Sequence, residues 1–365
     1  MKKILFVCEY FYPRIAGGEI WSFELLRSIA KLPNYEVTVI TSRDEGQPAV
    51  TNIDNIKIYR IGKTGGMLQR VAFIRQLYNF LKKHLKANKY DIIHTMALIS
   101  ILPVSIACKN IDSKKVTSLH VLLGKNWYKV AGKIKGLLNF MLEDFLIRID
   151  GSSIIHVPSE YIKKQLITKK KIVVIPNFID VKKIQEVFAN TDTLAIRKKL
   201  KIIMNEYMIV CVGGLQRVKQ FNELIQVIED WNNIKLVIVG TGEERKQIEK
   251  TIKDNKLEKN VILLGEKSRE ETLGIIKSAD LIVNPSLTES FSYVIMEAYA
   301  LGKPIVSTKV GIAEEVQKQI PDQIILIDEL REINNIIPKH VDLCERFKGI
   351  RSRDYLNEFI TKLYR

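Results

Sequence analysis

The 365-residue sequence lacks several features that would place it in a specialised class of protein. No apolar stretch approaches the roughly 20 residues that a transmembrane helix needs, and the apolar start of the chain is interrupted at Glu9. The four cysteines (Cys8, Cys108, Cys211 and Cys344) have no paired spacing, so we expect neither a zinc site nor a disulfide framework. A reducing cytoplasm is therefore the expected location.

Charge is present in excess on the basic side. The 57 lysines and arginines outnumber the 41 aspartates and glutamates, which gives a formal net charge of +16. Such a charge suits nucleic acid, anionic lipid or a phosphorylated ligand. Because no helix-turn-helix, zinc-finger or RNA-binding signature accompanies it, we expect no nucleic-acid partner.

Strand-like and helix-like segments alternate along the whole chain, and this order predicts an α/β protein with two doubly wound parallel sheets. Strands are predicted at residues 4–7, 37–41, 56–59, 92–94, 116–119, 154–157, 173–175, 208–212, 236–239, 261–264, 281–283 and 305–307. Helices are predicted at 19–30, 67–86, 134–148, 160–167, 221–231, 243–255, 270–278 and 293–301. The predicted domains are residues 1–178 and 179–342, followed by a helical tail at 343–365.

The most informative stretch runs from Pro285 to Glu297, directly after an apolar strand. A loop of small and polar residues turns the chain, and a helix is expected to begin near Ser292 and to end at Gly302. The helix N-terminus offers unpaired N–H groups to a phosphate, whereas Glu289 and Glu297 suit a ligand that also carries hydroxyls. An alternative is a capping box formed by Ser286 and Glu289, with Glu297 a solvated helix residue.

The two glutamates, separated by seven residues, resemble the signature of the retaining GT-B glycosyltransferases of family 4. Over nearly the whole chain, this resemblance implies two Rossmann-like domains that face a cleft. It further implies an acceptor-binding first domain, a second domain that binds a nucleotide sugar, and a C-terminal helix that returns to the first domain. The expected enzyme is a hexosyltransferase that retains the anomeric configuration. Its donor is a UDP-, GDP- or other nucleotide diphosphate sugar.

The resemblance also assigns roles in the first domain. Gly17 and Gly18 lie between the first strand and the first helix, where family members face the donor phosphate with a similar glycine pair. His120 follows a strand, in the place where the family has a histidine near the reacting carbon. His94, at the end of the preceding strand, is a weaker candidate for the same site.

In the second domain, the segment that follows residues 208–212 resembles the family motif that clamps the diphosphate. Gly213 and Lys219 match this motif, but Gly214 stands where the family has an arginine. Arg217 either replaces that arginine or is an exposed loop residue. The remaining donor-binding residues implied by the resemblance are Leu264 and Glu266 at the base, Glu289 at the sugar, Glu297 at the ribose, and Ser290, Phe291, Ser292, Tyr293 and Val294 at the phosphate.

The sequence contains no Asp-x-Asp, the pair with which the metal-dependent glycosyltransferase fold holds a cation on the diphosphate. We therefore expect transfer without a metal and without another cofactor. His120, Glu289 and Lys219 are the predicted catalytic residues.

The acceptor is expected to be a glycan or a lipid-linked molecule, and an anionic membrane surface is a possible partner. Apolar and basic residues alternate on the predicted helix at 67–86, whose apolar stripe includes Val71 and Ile74, and basic and aromatic residues follow His120. A solvated charged surface is the alternative. The rival functions are a catalytically inactive nucleotide-sugar-binding protein, a GT-B sugar epimerase and a basic nucleic-acid binder.

Overall fold

The structure is a computed structural model that describes residues 1–14, 17–63, 65–229 and 231–336. The chain folds into two compact units, and the boundary between them lies between Phe178 and Ile179. Unit 1 denotes the described residues up to Phe178, and unit 2 denotes those from Ile179 onward. The predicted helical tail at 343–365 lies outside the described residues.

The described strands of unit 1 form one sheet. They are β1 (Lys2–Cys8), β2 (Tyr35–Thr41), β3 (Val50–Ile53), β4 (Ile56–Arg60), β5 (Ile92–Met96), β6 (Lys114–Ser118), β7 (Ile154–Val157) and β8 (Lys171–Val174). Their spatial order is β3-β4-β2-β1-β5-β6-β7-β8, and neighbours are parallel except for β3 with β4. Alternate residues of β1 enter different apolar clusters, Phe6 on one side and Val7 on the other, so both faces of the sheet are covered.

Helices connect the strands of unit 1. They are α1 (Gly17–Ala30), α2 (Met67–Ala87), α3 (Leu98–Ala107), α4 (Trp127–Ala131), α5 (Lys133–Ile149) and α6 (Glu160–Gln165). In α2 the buried face is formed by Phe73, Leu77 and Leu81. Val71, which the sequence analysis placed on the apolar stripe of this helix, is 61% exposed and lies off this buried face.

Unit 2 has the strand order of a dinucleotide-binding fold. Its described strands are β9 (Tyr207–Val212), β10 (Ile234–Val239), β11 (Val261–Gly265), β12 (Leu281–Asn284), β13 (Ile305–Thr308) and β14 (Ile324–Ile327). They lie in the order β11-β10-β9-β12-β13-β14 and are all parallel. The sheet therefore reverses its direction of growth between β9 and β12, and ligands bind at the carboxyl ends of strands at such a switch point.

The helices of unit 2 cover both faces of this sheet. They are α7 (Val181–Asn190), α8 (Thr193–Lys199), α9 (Phe221–Val227), α10 (Arg245–Asp254), α11 (Arg269–Ser278), α12 (Tyr293–Ala300) and α13 (Ala313–Gln319). Apolar clusters lie on each side, with Val210 of β9 in one and Ile209 in the other. The prediction of two doubly wound α/β sheets is confirmed.

Some elements escaped the sequence-based prediction. The edge strand β3 is short and half polar, and α3 is almost wholly apolar and contains Pro103, so neither shows a clear period. The strand β14 and the helix α13 were also missed, and α9 ends at Val227 rather than at residue 231. No helix among the described residues has the length and apolarity to cross a membrane.

Candidate active site

Two loops of unit 2 meet at the switch point between β9 and β12. The first follows β9 and includes a short 3-10 turn, Arg217–Lys219, and the second connects β12 to α12. The backbone N–H of Leu287 donates a hydrogen bond to the carbonyl oxygen of Val218 at 2.8 Å. The sequence-distant loops are thereby held side by side.

Lys219 and Glu289 form an ion pair across these loops. Lys219 Nζ donates to Glu289 Oε1 at 2.5 Å, and the hydroxyl of Ser286 donates to the same carboxylate oxygen at 2.8 Å. The side chains of Lys219 and Glu289 are 20% and 13% exposed, so both reach solvent. The Lys219 chain lies over Gly213, where an added Cβ would come within 3.3 Å of Lys219 Cε. Glycine at 213 therefore leaves room for the lysine.

The helix α12 begins as predicted. Ser292 is its N-cap, in the left-handed region with φ of 73°, and its side chain makes no capping bond. The capping box expected as an alternative is wrong, because Ser286 contacts Glu289 in the loop and does not start the helix. The hydroxyl of Ser292 is buried without a hydrogen-bond partner in the described part of the chain. The first-turn N–H groups thus lack a side-chain cap and can receive an anion.

Two predicted phosphate-binding residues turn their side chains into the core. Phe291 and Val294 are 1% and 7% exposed, so only their backbone groups can meet a ligand. Tyr293 packs edge-on against Phe291, with ring centroids 5.3 Å apart, and Ser290 is partly exposed in the loop.

Gly311 lies in the connection that follows β13 and packs against the loop between β12 and α12. The sequence analysis did not identify this glycine. Its φ is +59°, and an added Cβ would lie 2.6 Å from the carbonyl oxygen of Phe291. That same oxygen accepts a hydrogen bond from Ile312 N at 2.9 Å. Its position three residues after the end of β13 was the available signal.

Glu297 lies inside α12 and is paired with Arg269. Its carboxylate oxygen Oε1 is 3.3 Å from Arg269 Nη2. Burial raises the pKa of Glu297 to about 7, and the Arg269 guanidinium counteracts this in part. Beyond this ion pair, the buried Nε and Nη2 of Arg269 have no hydrogen-bond partner among the described residues.

The sequence analysis also missed Arg269. It is the first residue of α11, behind the capping box of Ser268 and Glu271. Its position three residues after Glu266, at the carboxyl end of β11, was the signal that could have found it. Leu264 and Glu266 flank Gly265 at this strand end, where Leu264 is partly exposed and Glu266 is exposed.

Gly214 occupies the position where the family has an arginine, and there is space around it. An added Cβ at Gly214 would meet no neighbouring atom closer than 3.7 Å, so the fold leaves space for a side chain there. Arg217 is exposed at the start of the 3-10 turn. By contrast, a Cβ at Gly240 would overlap the carbonyl oxygen of Gly213, so the packing of these two loops requires glycine at 240.

In unit 1 the switch point lies between β1 and β5. The helix α1 begins at Gly17, after β1. An added Cβ at Gly18 would make an ordinary contact of 3.6 Å with Met96 Cε. Packing within the protein therefore does not require glycine at 18. The lack of a side chain there would let a ligand approach the backbone closely.

A group of buried histidines lies near the same switch point. His156 Nε2 lies 2.9 Å from the carbonyl oxygen of Ile175, which can only accept a hydrogen bond. His156 Nδ1 therefore accepts from Ser118 Oγ at 2.9 Å, and Ser118 Oγ accepts from His94 Nε2 at 2.7 Å. Burial lowers the pKa of His156 to about 4 and that of His94 well below its ordinary value.

His120 lies beside this chain of hydrogen bonds. Its ring packs on Trp21 of α1 with centroids 4.2 Å apart, and it is 7% exposed. Burial and the neighbours His156 and His94 lower the pKa of His120 well below its ordinary value, so its ring is neutral. Its Nε2 has no hydrogen-bond partner among the described residues. We call His94, His120 and His156 the histidine cluster.

A cavity of about 1010 Å³ opens at the other, amino edge of the unit 2 sheet. Its Arg197 donates to Asp280 at 2.9 Å and to two backbone carbonyls, which are structural contacts. Within the described ranges, no group of three or more His, Cys, Asp or Glu side chains could hold a metal ion.

Comparisons with known proteins identify the family of the chain. The model of the family "Glycosyltransferase Family 4" matches residues 15–183, and that of "Glycosyl transferases group 1" matches residues 192–327. The chain is a group 1 glycosyltransferase with the GT-B fold.

Individual relatives are distant. The N-acetyl-alpha-D-glucosaminyl L-malate synthase of Bacillus anthracis is 24% identical, over 84% of this chain and 79% of its own. The UDP-Gal:alpha-D-GlcNAc-diphosphoundecaprenol alpha-1,3-galactosyltransferase of Escherichia coli is 26% identical, over 92% and 87%. The sucrose-phosphate synthase structure from Thermosynechococcus elongatus superposes with a TM-score of 0.79 at 18% identity and covers 100% of this chain and 95% of its own.

For this group 1 glycosyltransferase, the structure brings the predicted residues together in two sets. Lys219, Glu289 and Ser292 lie at one switch point in unit 2, and Glu297 lies one helical turn further along α12. Gly18 and His120 lie near the switch point of unit 1.

Proposed function

We propose that this glycosyltransferase moves a sugar from a nucleotide diphosphate sugar to an acceptor hydroxyl, with retention of anomeric configuration and without a metal. The observation that carries the proposal is the Lys219–Glu289 pair beside the uncapped N-terminus of α12. A cation and a row of N–H groups suit a diphosphate leaving group, and the carboxylate suits the hydroxyls of its sugar.

The proposed reaction breaks the bond between the anomeric carbon and the diphosphate oxygen. Lys219 and the first-turn N–H groups of α12 stabilise the negative charge that develops on the diphosphate. The acceptor oxygen bonds to the same face of the sugar, and its proton passes to the departing diphosphate. Glu289 is held by Lys219 and Ser286, which fits a binding role better than that of a covalent nucleophile.

The remaining residues are proposed to position the donor. Glu297 accepts hydrogen bonds from the ribose hydroxyls, and Leu264 and Glu266 lie at the base. His120 is proposed to accept a hydrogen bond from the reacting sugar or the acceptor, because its ring is neutral and its Nε2 has no described protein partner. Gly17 and Gly18 are proposed to admit the donor phosphate.

The acceptor is proposed to be a glycan or a lipid-linked molecule on the cytoplasmic face of a membrane. The name of the Escherichia coli relative, which includes a diphosphoundecaprenol acceptor, supports the lipid-linked class. The strongly basic composition supports an anionic surface as partner.

A second candidate function is a nucleotide-sugar-binding protein without turnover. The observation that favours it is Gly214, which removes one cation from the expected diphosphate clamp. Arginine and lysine differ in this role, because only arginine offers a planar fork of donors.

The test begins with calorimetric binding of uridine, guanosine and adenosine diphosphates to the whole chain. We expect one of them to bind, and Glu297→Ala to weaken its binding by about tenfold through loss of the ribose hydrogen bonds. The control is Glu258→Ala, which removes an exposed glutamate elsewhere in unit 2. An unchanged dissociation constant for Glu297→Ala would contradict the ribose role.

Incubation with labelled sugars of the bound nucleotide then separates the two functions. Slow hydrolysis or transfer supports the enzyme, and the anomeric configuration of the product by NMR tests retention. Tight binding without turnover favours the binding protein.

A further inference from the structure

One face of α5 is apolar and exposed. Six large apolar side chains are spaced along it as neighbours on one side of a helix, and they are between 44% and 79% exposed. We call them the α5 stripe: Ile134, Leu137, Leu138, Met141, Leu142 and Phe145. The stripe is about 16 Å long at 1.5 Å per residue. Contiguous apolar surface of this kind marks an interaction site more often than scattered single residues do.

The opposite face of α5 fixes the helix to unit 1. Leu146 and Ile147 are buried, and α5 packs against α3 and α4. The buried carboxylate of Glu143 accepts hydrogen bonds from Gly124 N at 2.7 Å and from Trp127 Nε1 at 3.0 Å. The segment before α5 is thereby tied to it, so the stripe belongs to a fixed surface.

The charges around the stripe are basic. Lys125, Lys129, Lys133 and Lys135 are exposed, and none of the four forms a salt bridge within the described part of the chain. The two acidic residues of α5 do little to neutralise this positive charge. Glu143 is turned inward, and Asp144 accepts from Arg148 at 2.6 Å.

We propose that the α5 stripe docks unit 1 on an anionic lipid bilayer. The helix lies in the plane of the interface with the six apolar side chains in the acyl boundary, and the four lysines meet lipid phosphates. A second copy of the chain fits the same surface less well, because two chains of +16 would bring like charges together. This inference deepens the proposed membrane association and rests on the proposed function only for the lipid-linked acceptor.

The test measures flotation of the full chain with vesicles of phosphatidylcholine, alone or mixed with phosphatidylglycerol. The stripe variant carries Leu138→Gln, Met141→Gln and Phe145→Gln. Its matched control carries Leu194→Gln, Ile203→Gln and Met204→Gln, since these side chains in unit 2 are 69%, 59% and 95% exposed. Glutamine favours helices, and equal melting temperatures verify that both variants fold.

We expect the wild type and the control to float with the mixed vesicles, and the stripe variant to bind them at least about tenfold more weakly. In a second measurement, Phe145→Trp adds fluorescence that lipids with brominated acyl chains quench. Equal flotation of the stripe variant and the wild type would overturn the proposal. It would also be overturned if the chain were a dimer without lipid and the stripe variant a monomer.

Nucleotide binding, measured in solution on the same variants, separates this proposal from the proposed function. We expect the stripe variant to bind nucleotide like the wild type. A chain that floats through the stripe but binds no nucleoside diphosphate contradicts the proposed function alone. A chain that binds nucleotide but does not float with mixed vesicles contradicts the docking alone.

Discussion

The two units present different chemistry near their switch points. In unit 2, ionisable side chains stand in pairs of opposite charge, Lys219 with Glu289 and Arg269 with Glu297. In unit 1, the histidine cluster consists of buried rings that are linked through Ser118 or packed on Trp21. Their lowered pKa values keep these rings uncharged near neutral pH.

This difference follows from what surrounds each set. Lys219, Glu289 and Arg269 lie in loops or at a helix start, where solvent and backbone N–H groups stabilise charge. Glu297 is the exception, because it lies inside α12 and burial raises its pKa. The histidines of unit 1 lie on or directly after buried parallel strands, where a charge would be desolvated. Unit 2 can therefore supply fixed charge to a ligand, and unit 1 can supply neutral hydrogen-bonding groups.

The largest expected effect concerns the charge of unit 2. Lys219→Met keeps the packing over Gly213 but removes the cation that we propose for the leaving diphosphate. We expect kcat/KM for sugar transfer or donor hydrolysis to fall by about 10²–10³-fold. Lys253→Met, at the exposed end of α10, is the matched control and should leave the rate unchanged.

A rate for Lys219→Met close to that of the wild type would remove the lysine from the mechanism. In that event Arg217, exposed in the same turn, is the next residue to substitute. The double variant then shows whether the two cations replace each other.

Local motifs made the charged residues of unit 2 predictable. Glu289, Glu297 and the start of α12 belong to one short stretch, whose resemblance to the family signature carries the prediction. Arg269 belongs to no such motif, and only its position after β11 pointed to it, because its contact with Glu297 depends on how α11 packs beside α12. Gly311 escaped for a similar reason, since its neighbour Phe291 belongs to another strand connection.

Unit 1 was less predictable from its sequence. His120 could be placed at a strand end, but its contact with Trp21 and the link from His94 through Ser118 arise from tertiary packing of strands far apart in the chain. The helix α5 was predicted almost to its ends. Which of its faces is exposed depends on its packing against α3, and apolar residues occur on both faces.

The next largest effect is expected in the histidine cluster of unit 1. We expect His120→Ala to lower kcat by about 10²-fold, because the proposed hydrogen bond to the reacting groups is lost. Nucleotide affinity should change far less, since this role concerns the transfer step. Kinetics under saturating donor and calorimetry of nucleotide binding separate the two quantities.

The control for His120 is His84→Gln, because His84 lies on α2 and bonds through Nε2 to the Tyr90 hydroxyl at 2.8 Å. Glutamine can keep that bond, so activity should persist. Full activity of His120→Ala would leave the unpartnered Nε2 without a catalytic role.

The smallest expected effect is on stability, and it has opposite signs in the two units. His156 has a pKa near 6.5 when unfolded and about 4 when folded, so at about pH 5 only the unfolded state takes up the proton. Acidification from about pH 7 to about pH 5 should cost unit 1 about 2 kcal/mol through this ring. His94 and His120 act in the same direction, whereas Glu19 and Glu143, whose pKa values burial raises, oppose them.

In unit 2, Glu297 has the opposite effect, because acidification stabilises the folded state through this carboxyl group. Its pKa rises from 4.5 in the unfolded chain to about 7 in the folded one, so the folded state holds the proton at about pH 5 and gains about 2 kcal/mol relative to about pH 7. Hydrogen exchange, corrected for its intrinsic pH dependence, should show faster opening of β7 and slower opening of α12 on acidification. Glu297→Gln should abolish the change in α12 and leave that in β7. A parallel response of both segments would contradict these assignments, because burial disfavours the charged form of both groups and must therefore lower the pKa of a histidine and raise that of a glutamate.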